Sequence, residues 1–465
     1  MFSISKLLKG RQIIYTSKEL NESNLLEILN DAVSTHMVNA NEIDYLYNYY
    51  KGSQEIQYKT KETRPEINNK ITENRAWEIV SFKKGYTFGE PVQYIARGED
   101  ENISTQINVL NDYMVECDKD SLDTELAEWM FVGGVGYRIC LPNQDWEEGS
   151  DETPFKIYTL DPRNTFVVRY DNITKEVAMG VTFKTVDNHK VYSIYTKDKF
   201  YLVDELGGIV ESQDIYTGIP ILEYINNNAR LGAFEMVLPL LDAINSVQSN
   251  RLDDIEQHVN SFMAVFGAEL TEETYKKVQE WKMMVLPEGT DAKYLSATLQ
   301  QSDVQTYVDS LYQTILTICG MPSVESGGNG GDNGVAVHLR NGWETAETQA
   351  KSVEKVFKKS ERDLLRLVLR IMNSFGATTL KLRNIDIKFA RRYTDNILTK
   401  VQSLTSMLDA GIEPAIAIAT SGIWNDPTDV YIQSKKFLDK WNVEIEEKPE
   451  VDKNENNGDN PVDVL

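Results

Sequence analysis

Apolar residues recur at helical spacing along the first ninety positions. The series Leu25, Leu29 and Ala32 continues through Ile43, Leu46 and Tyr50 and stops at Gly52. A further run, Ile71, Ala76, Ile79 and Val80, predicts a helix over 68–84 that is capped by Gly85. Phe88-Gly89-Glu90-Pro91 then turns the chain into a strand at 92–95, and two more helices are expected near 103–115 and 121–131. From Val135 to Ile225 the pattern changes to β-branched and aromatic runs at 137–141, 155–160, 166–170, 177–184, 191–195 and 200–203, separated by turn residues. Their connections are too short for crossover helices, so this module should be antiparallel.

Helices return at Glu235. Pro239 fits only in a first turn, and Val237, Leu241, Ile244, Leu252, Ile255, Val259 and Phe262 then form one apolar stripe. The opposite face carries Asp242, Ser246, Ser249, Asp253 and Glu256. A mixed segment, 263–298, should hold a small helix at 272–282 and extended pieces at 283–286 and 292–295. The next helix opens on the capping box Ser302-x-x-Gln305, runs through Val304, Val308, Leu311, Ile315 and Ile318, and stops at Gly320-Met321-Pro322. After the glycine-rich run Ser326–Gly334, a periodic segment from Trp343 to Phe375 would make a helix roughly 50 Å long. A strand pattern at 380–389 and helices near 394–408, 413–420 and 428–439 follow, and the acidic, Asn-rich chain from Glu444 reads as a disordered tail. The whole is α+β, mostly α.

Composition narrows what such a chain can do. Its 48 basic and 72 acidic side chains give a net charge of -24, which argues against tight general binding to nucleic acid or anionic membrane. No signal peptide or membrane span is expected, because no apolar run approaches the roughly 20 residues a span needs. Cys117, Cys140 and Cys319 are too few and too scattered for a disulfide framework and suit a reducing compartment. His36, His189, His258 and His338 are isolated, so no metal set emerges and no cofactor is expected. Asp253-Asp254-x-Glu256 reads as a solvated helix face more readily than as a cation site. No Gly-x-Ser-x-Gly elbow is present and no catalytic residue is assigned.

Two features stand out. Five of the eight residues from Gly327 to Gly334 are glycine, with Asn329, Asp332 and Asn333 between them, so the loop Ser326, Gly327, Gly328, Asn329, Gly330, Gly331, Asp332, Asn333, Gly334 should be mobile. It is not a phosphate cradle: there is no Walker string, Asn333 stands where a third glycine would be needed, and a helix rather than a strand precedes it. The second feature is a basic stripe, Lys351, Lys355, Lys359, Arg362, Arg366 and Arg370, on one side of the long helix. A solvated face, pairing with acids of a neighbouring subunit, and phosphate contact all remain open for it.

The order of these segments resembles the portal proteins of tailed double-stranded-DNA bacteriophages, of the siphovirus kind. The resemblance rests on Tyr49-Tyr50-Lys51-Gly52, Phe82 to Pro91, Gly134-Val135-Gly136-Tyr137, Asp161-Pro162-Arg163-Asn164, Ile219 to Tyr224, Val237 to Ala243 and Gly320-Met321-Pro322. It implies a wing over 1–234, helical to about 134 and β-rich over 135–225, with stem helices at 235–262 and 301–321 around a clip at 263–300. A tunnel loop at 322–342, a long wing helix and strand at 343–392, a crown at 393–442 and a disordered tail at 443–465 complete the implied fold. The implied role is structural: a ring of twelve subunits at one capsid vertex, assembled in the host cytoplasm, that passes double-stranded DNA without sequence specificity. Implied partners are the terminase motor, the head-completion or connector protein, and the major capsid and scaffolding proteins. On this reading Asp242, Ser246, Ser249, Asp253 and Glu256 are candidates for the channel lining, and the glycine loop for the DNA-facing element. Another ring or scaffold component of a virion, or an enzyme without a recognisable motif, is the alternative.

Overall fold

The computed structural model describes residues 10–98, 100–259, 262–266, 291–295, 301–323, 342–391, 397–424 and 427–435. The chain forms two compact units, one spanning Met1–Arg97 and Glu101–Arg392, the other Gly98–Asp100 and Tyr393–Leu465.

In the first unit, strand β1 (Ile14–Thr16) precedes helix α1 (Leu25–Tyr50), one continuous helix whose buried side chains Leu25, Leu29, Ala32, Ile43 and Leu46 follow the predicted period. It ends at Tyr50 with Lys51 as its cap, and Gly52, at φ +99°, turns the chain just beyond. The expected helix over 68–84 is shorter at its start and longer at its end: α2 spans Arg75–Phe88. The Asn74 side chain accepts the Trp77 amide and fixes the start, and Gly85 lies within the helix, with Gly89 as its C-cap. Strand β2 (Gln93–Ala96) and helices α3 (Glu101–Glu116) and α4 (Lys119–Gly133) follow.

The β-rich module contains β3 (Val135–Pro142), β4 (Phe155–Leu160), β5 (Thr165–Tyr170), β6 (Val177–Val186), β7 (His189–Tyr195), β8 (Lys199–Asp204), β9 (Gly208–Asp214) and β10 (Ile221–Ile225). Strands β5 to β9 form an antiparallel meander, and β1 adds to its edge in parallel, giving the order β1-β5-β6-β7-β8-β9. The parallel β1 departs from the expected all-antiparallel module, because a three-residue strand far from its partner leaves no local signal. A second sheet has the order β10-β3-β4. Strand β9, Gly-Ile-Val-Glu-Ser-Gln-Asp, lacks a clean apolar alternation because it is an exposed edge.

A short 3-10 turn (Glu235–Val237) leads into α5 (Leu238–Val259), with Pro239 in its first turn as expected. Strands β11 (Phe262–Phe266) and β12 (Asp291–Leu295) pair antiparallel, and α6 (Gln301–Cys319) returns along α5. The expected helix at 272–282 and extended piece at 283–286 lie outside the described residues. Helix α7 (Trp343–Ser374) is followed by β13 (Ile385–Lys388), which pairs with β2. Phe357, fully buried near the middle of α7, joins the core made by α1, α2, α4, α5 and α6, while Leu364, Val368 and Ile371 join a second core under β2 and β13. The long helix therefore ties two cores together. The second unit contributes helices α8 (Ile397–Asp409), α9 (Pro414–Ser421) and α10 (Pro427–Lys435).

Between α4 and β3 the chain turns at Gly134, whose φ is +81° and whose Cβ, were there one, would strike the Arg230 carbonyl. A Gly134→Ala substitution should therefore destabilise the fold by more than the roughly 1–2 kcal/mol of left-handed strain alone, read as a lowered urea midpoint; an unchanged midpoint would contradict this packing.

Candidate functional site

The glycine loop, Ser326 to Gly334, lies outside the described residues, but its two roots do not. Gly342 begins α7 in the left-handed conformation, and a Cβ placed on it would lie 3.7 Å from both the Met321 carbonyl oxygen and the Pro322 Cα. The chain thus leaves α6 and re-enters α7 at nearly the same point. That point is tightly built. The Met321 amide donates to Leu316 O at 2.8 Å, closing the end of α6. Phe82 and Tyr86 stack at 5.6 Å beside Trp343, Lys83 donates to Gln349 at 2.8 Å, and Tyr86 donates to Glu347 at 3.0 Å. The stretch Phe82 to Pro91 therefore contributes directly to the base of the loop.

The polar face of α5 is not the open face its sequence suggested. Residues 69, 71 and 73 run antiparallel to it and donate their backbone amides to side chains one turn apart: Asn69 to Asp253 at 2.7 Å, Ile71 to Ser249 at 2.9 Å, and Glu73 to Asn245 at 2.8 Å. Alternate residues of an extended chain are about 6.6 Å apart and helix positions four apart about 6.0 Å, so the two periods nearly coincide. Lys59 and Lys61 close over Asp253 from the same strap, and Gln54 bonds Asn245. Burial raises the Asp253 carboxyl, but the hydrogen bonds from Lys61, Asn69 and Lys59 outweigh it and hold the group well below the usual carboxylate range.

The expectation that Ser249 and Asp253 line a channel is therefore corrected: their relative exposures are 0% and 1%, and the strap covers them. Asp242 is half-buried and accepts from Tyr49 at 2.8 Å, and burial raises its carboxyl. Ser246 is exposed and Glu256 partly so. Sequence reading missed the signal, which is three short acceptors, Asn245, Ser249 and Asp253, at i, i+4 and i+8 in mid-helix. It also missed the neighbouring face of α6, where Ser302, Thr306, Ser310, Thr314 and Thr317 are all exposed. The hydroxyls of Thr306, Thr314 and Thr317 each donate to the carbonyl four residues back at 2.9 Å. This face is polar, with Asp303 at its start and the half-buried Asp309 at its edge as its charges. Arg251 reaches across from α5 to Gln305 at 2.7 Å, so the two helices act as a pair.

Among the described residues no cluster of His, Cys, Asp and Glu could hold a metal ion, and no helix is long and apolar enough to cross a membrane. The three cysteines are unpaired. The basic stripe is exposed along its length: Lys351 pairs with Glu347, Arg366 with Asp363, and Arg370 donates to Thr217 O, whereas Lys355, Lys359 and Arg362 have no partner among the described residues.

The family model described as "Phage portal protein, SPP1 Gp6-like" matches residues 33–448. The chain belongs to that family. It is a structural, non-enzymatic family, and the chain has a phage portal or connector role. No curated protein matches. Among solved structures, a chain from the neck of an empty GTA particle computed with C6 symmetry is similar at TM-score 0.45 and 13% identity, covering 75% of this chain and 90% of that one. A chain from the neck of a native GTA particle computed with C12 symmetry is similar at TM-score 0.45 and 14% identity, covering 76% and 92%.

What fixes the portal chain's long helix in place was not visible in the sequence. Glu361, on the side of α7 away from the basic stripe, is fully buried and pairs with Lys119 at 2.9 Å and Arg138 at 3.8 Å. Asp123 completes the cluster at 2.7 Å from Lys119 and 2.6 Å from Arg138, so two acids meet two bases. Tyr224 donates to Glu361 at 2.8 Å, and Tyr94 donates to its other oxygen. Burial raises the Glu361 carboxyl, but Lys119 and Arg138 outweigh that and lower it below the ordinary 4.5. A carboxylate lowered on folding stabilises the fold above its unfolded value and loses that contribution as pH falls through the folded one.

Two outcomes follow from these contacts. Glu361→Gln leaves two buried cations facing one acid and should cost about 3–5 kcal/mol at pH 7, with a smaller further loss than wild type on acidification below pH 4.5; equal urea midpoints at pH 7 would contradict this. Asp253→Ala should speed hydrogen exchange at the Asn69 and Ile71 amides with little change in the β-rich module, and unchanged protection would mean that the strap does not depend on the ladder.

Proposed function

We propose that the chain assembles into a closed ring, of twelve subunits in the particle, that forms a conduit for double-stranded DNA during packaging and ejection at the capsid vertex. The family match across residues 33–448 carries this reading. In it α5 and α6 are the stem and 263–300 the clip that docks the terminase motor and the head-completion protein, while α8 to α10 belong to the crown.

The glycine loop is the tunnel element in this reading. Its adjacent roots, held by Phe82, Tyr86 and Trp343, suit a segment that bends against passing DNA while its base stays fixed. A conduit must also avoid holding phosphates, since each fixed cation that displaces a counterion adds grip. The uncharged hydroxyls of α6, with the exposed Ser246 and Asn250 of α5, are the better candidates for the bore than the covered acids. A net charge of -24 per subunit adds repulsion.

Negative-stain microscopy of the purified chain should show rings with a hole wide enough for a duplex; monomers or dimers alone at high concentration would contradict the reading. Replacing Gly328 and Gly330 together with proline should leave those rings intact while lowering DNA packaging, and normal packaging would remove the loop's role.

A further inference from the structure

A ring of identical subunits needs two different surfaces on opposite sides of each chain, one to receive and one to be received. We propose that the receiving surface is the cleft between β1 and α7, and that it takes the β8–β9 hairpin of the next copy. This rests on the ring reading above.

The cleft has a volume of about 600 Å³ and lies where the β1 edge of the six-stranded sheet faces the middle of α7. Ile13 and Tyr15, both partly exposed, and Val356 give it apolar wall, and Lys359 and Lys175 line it together with Glu176 and with Asp363, whose carboxylate is taken up by Arg366. Deeper in, Arg230 is held by Glu223 with its backbone at φ +59°, and its buried Nε has no hydrogen-bond partner. On the same outward side of α7 stand Lys355 and Arg362. Together with Lys359 they form three cations without partners among the described residues, in a chain where acids outnumber bases by half. Unpaired cations beside an exposed apolar wall fit a partner that brings carboxylates and aliphatic side chains together.

The opposite edge of the same sheet offers that chemistry. The hairpin from β8 to β9 carries Leu206 and Val210, 82% and 63% exposed, interleaved with the exposed acids Glu205 and Glu211. Strand β9 is the last in the sheet order and β1 the first, so the two surfaces stand about 24 Å apart across five strand spacings. They face away from each other within one chain and can meet only between copies. Such a head-to-tail contact repeats at every interface and closes when the rotation between subunits closes.

The test is ring assembly followed by microscopy and light scattering at physiological salt. Reversing Lys355, Lys359 and Arg362 to glutamate should lower the ring fraction about tenfold or more, because like charges across an interface cost several kcal/mol, with the far-ultraviolet circular dichroism unchanged. Adding Glu205→Lys and Glu211→Lys to that variant should restore rings. In an otherwise wild-type background, Leu206→Cys with Lys359→Cys should give a ladder of cross-linked oligomers under a short bifunctional thiol reagent, whereas either cysteine alone should not. Rings that survive the triple reversal, a reversal that no acid-to-lysine change rescues, or rings without cross-links overturn the contact. So does a triple variant that forms normal rings but loses DNA, which would assign the stripe to phosphate. Wild-type chains that form no ring at all overturn the conduit reading and this contact with it.

Discussion

The ionised carboxylate of Glu361 is the point on which the first unit turns. A carboxylate with no exposure is tolerable only when every lone pair is used and its charge is matched. Here Lys119 of α4 and Arg138 of β3 match it, and tyrosines of β2 and β10 donate to it. One side chain thereby fixes α7 against two sheets and a helix at once. The apolar cores on either side, around Phe357 and around Leu364, grip the same helix through contacts that carry no charge and little direction. A buried ion cluster admits one register only. The base of the glycine loop sits at the start of this same helix, so the position of Gly342 follows from where Glu361 is held.

Much of this architecture could be read from pattern. Periods of 3.6 and 2 located α1, α3, α4, α5, α6, α7 and the meander strands β5 to β8, because each buries one face and shows the other to water. Partners far apart in sequence were not legible. Strand β1 pairs with β5 across about 150 residues, and the β9 edge has too few apolar positions to declare itself. The site divided in the same way. The basic stripe was readable because it is exposed, whereas Glu361 looked like one more charge on an amphipathic helix. The strap over α5 was misread for a physical reason: its bonds run from backbone amides, which carry no sequence signature, to Asn, Ser and Asp side chains that resemble any solvated face. Part of the expected helix at 68–84 was in truth this strap.

The two charged features of α7 serve opposite ends. On its inner side a neutral cluster, two acids with two bases, holds the chain to itself. Its outer side leaves Lys355, Lys359 and Arg362 unmatched among the described residues. Family membership fixes the structural role of the protein, and the split between satisfied and unsatisfied charge separates what holds one subunit together from what remains for another molecule to meet.

The ladder between the strap and α5 also behaves as a vernier. Its two scales differ by about 0.6 Å per division, so three rungs accumulate a misfit near 1.2 Å, which hydrogen bonds can absorb by small tilts. No fourth rung forms: Leu241 has no acceptor at one end, and the amides of Ile67 and Arg75 bond the carbonyls of Arg64 and Glu73 instead. Slip along the helix would have to carry all three rungs past at once, so the strap measures off a single position on α5 and holds the helix there.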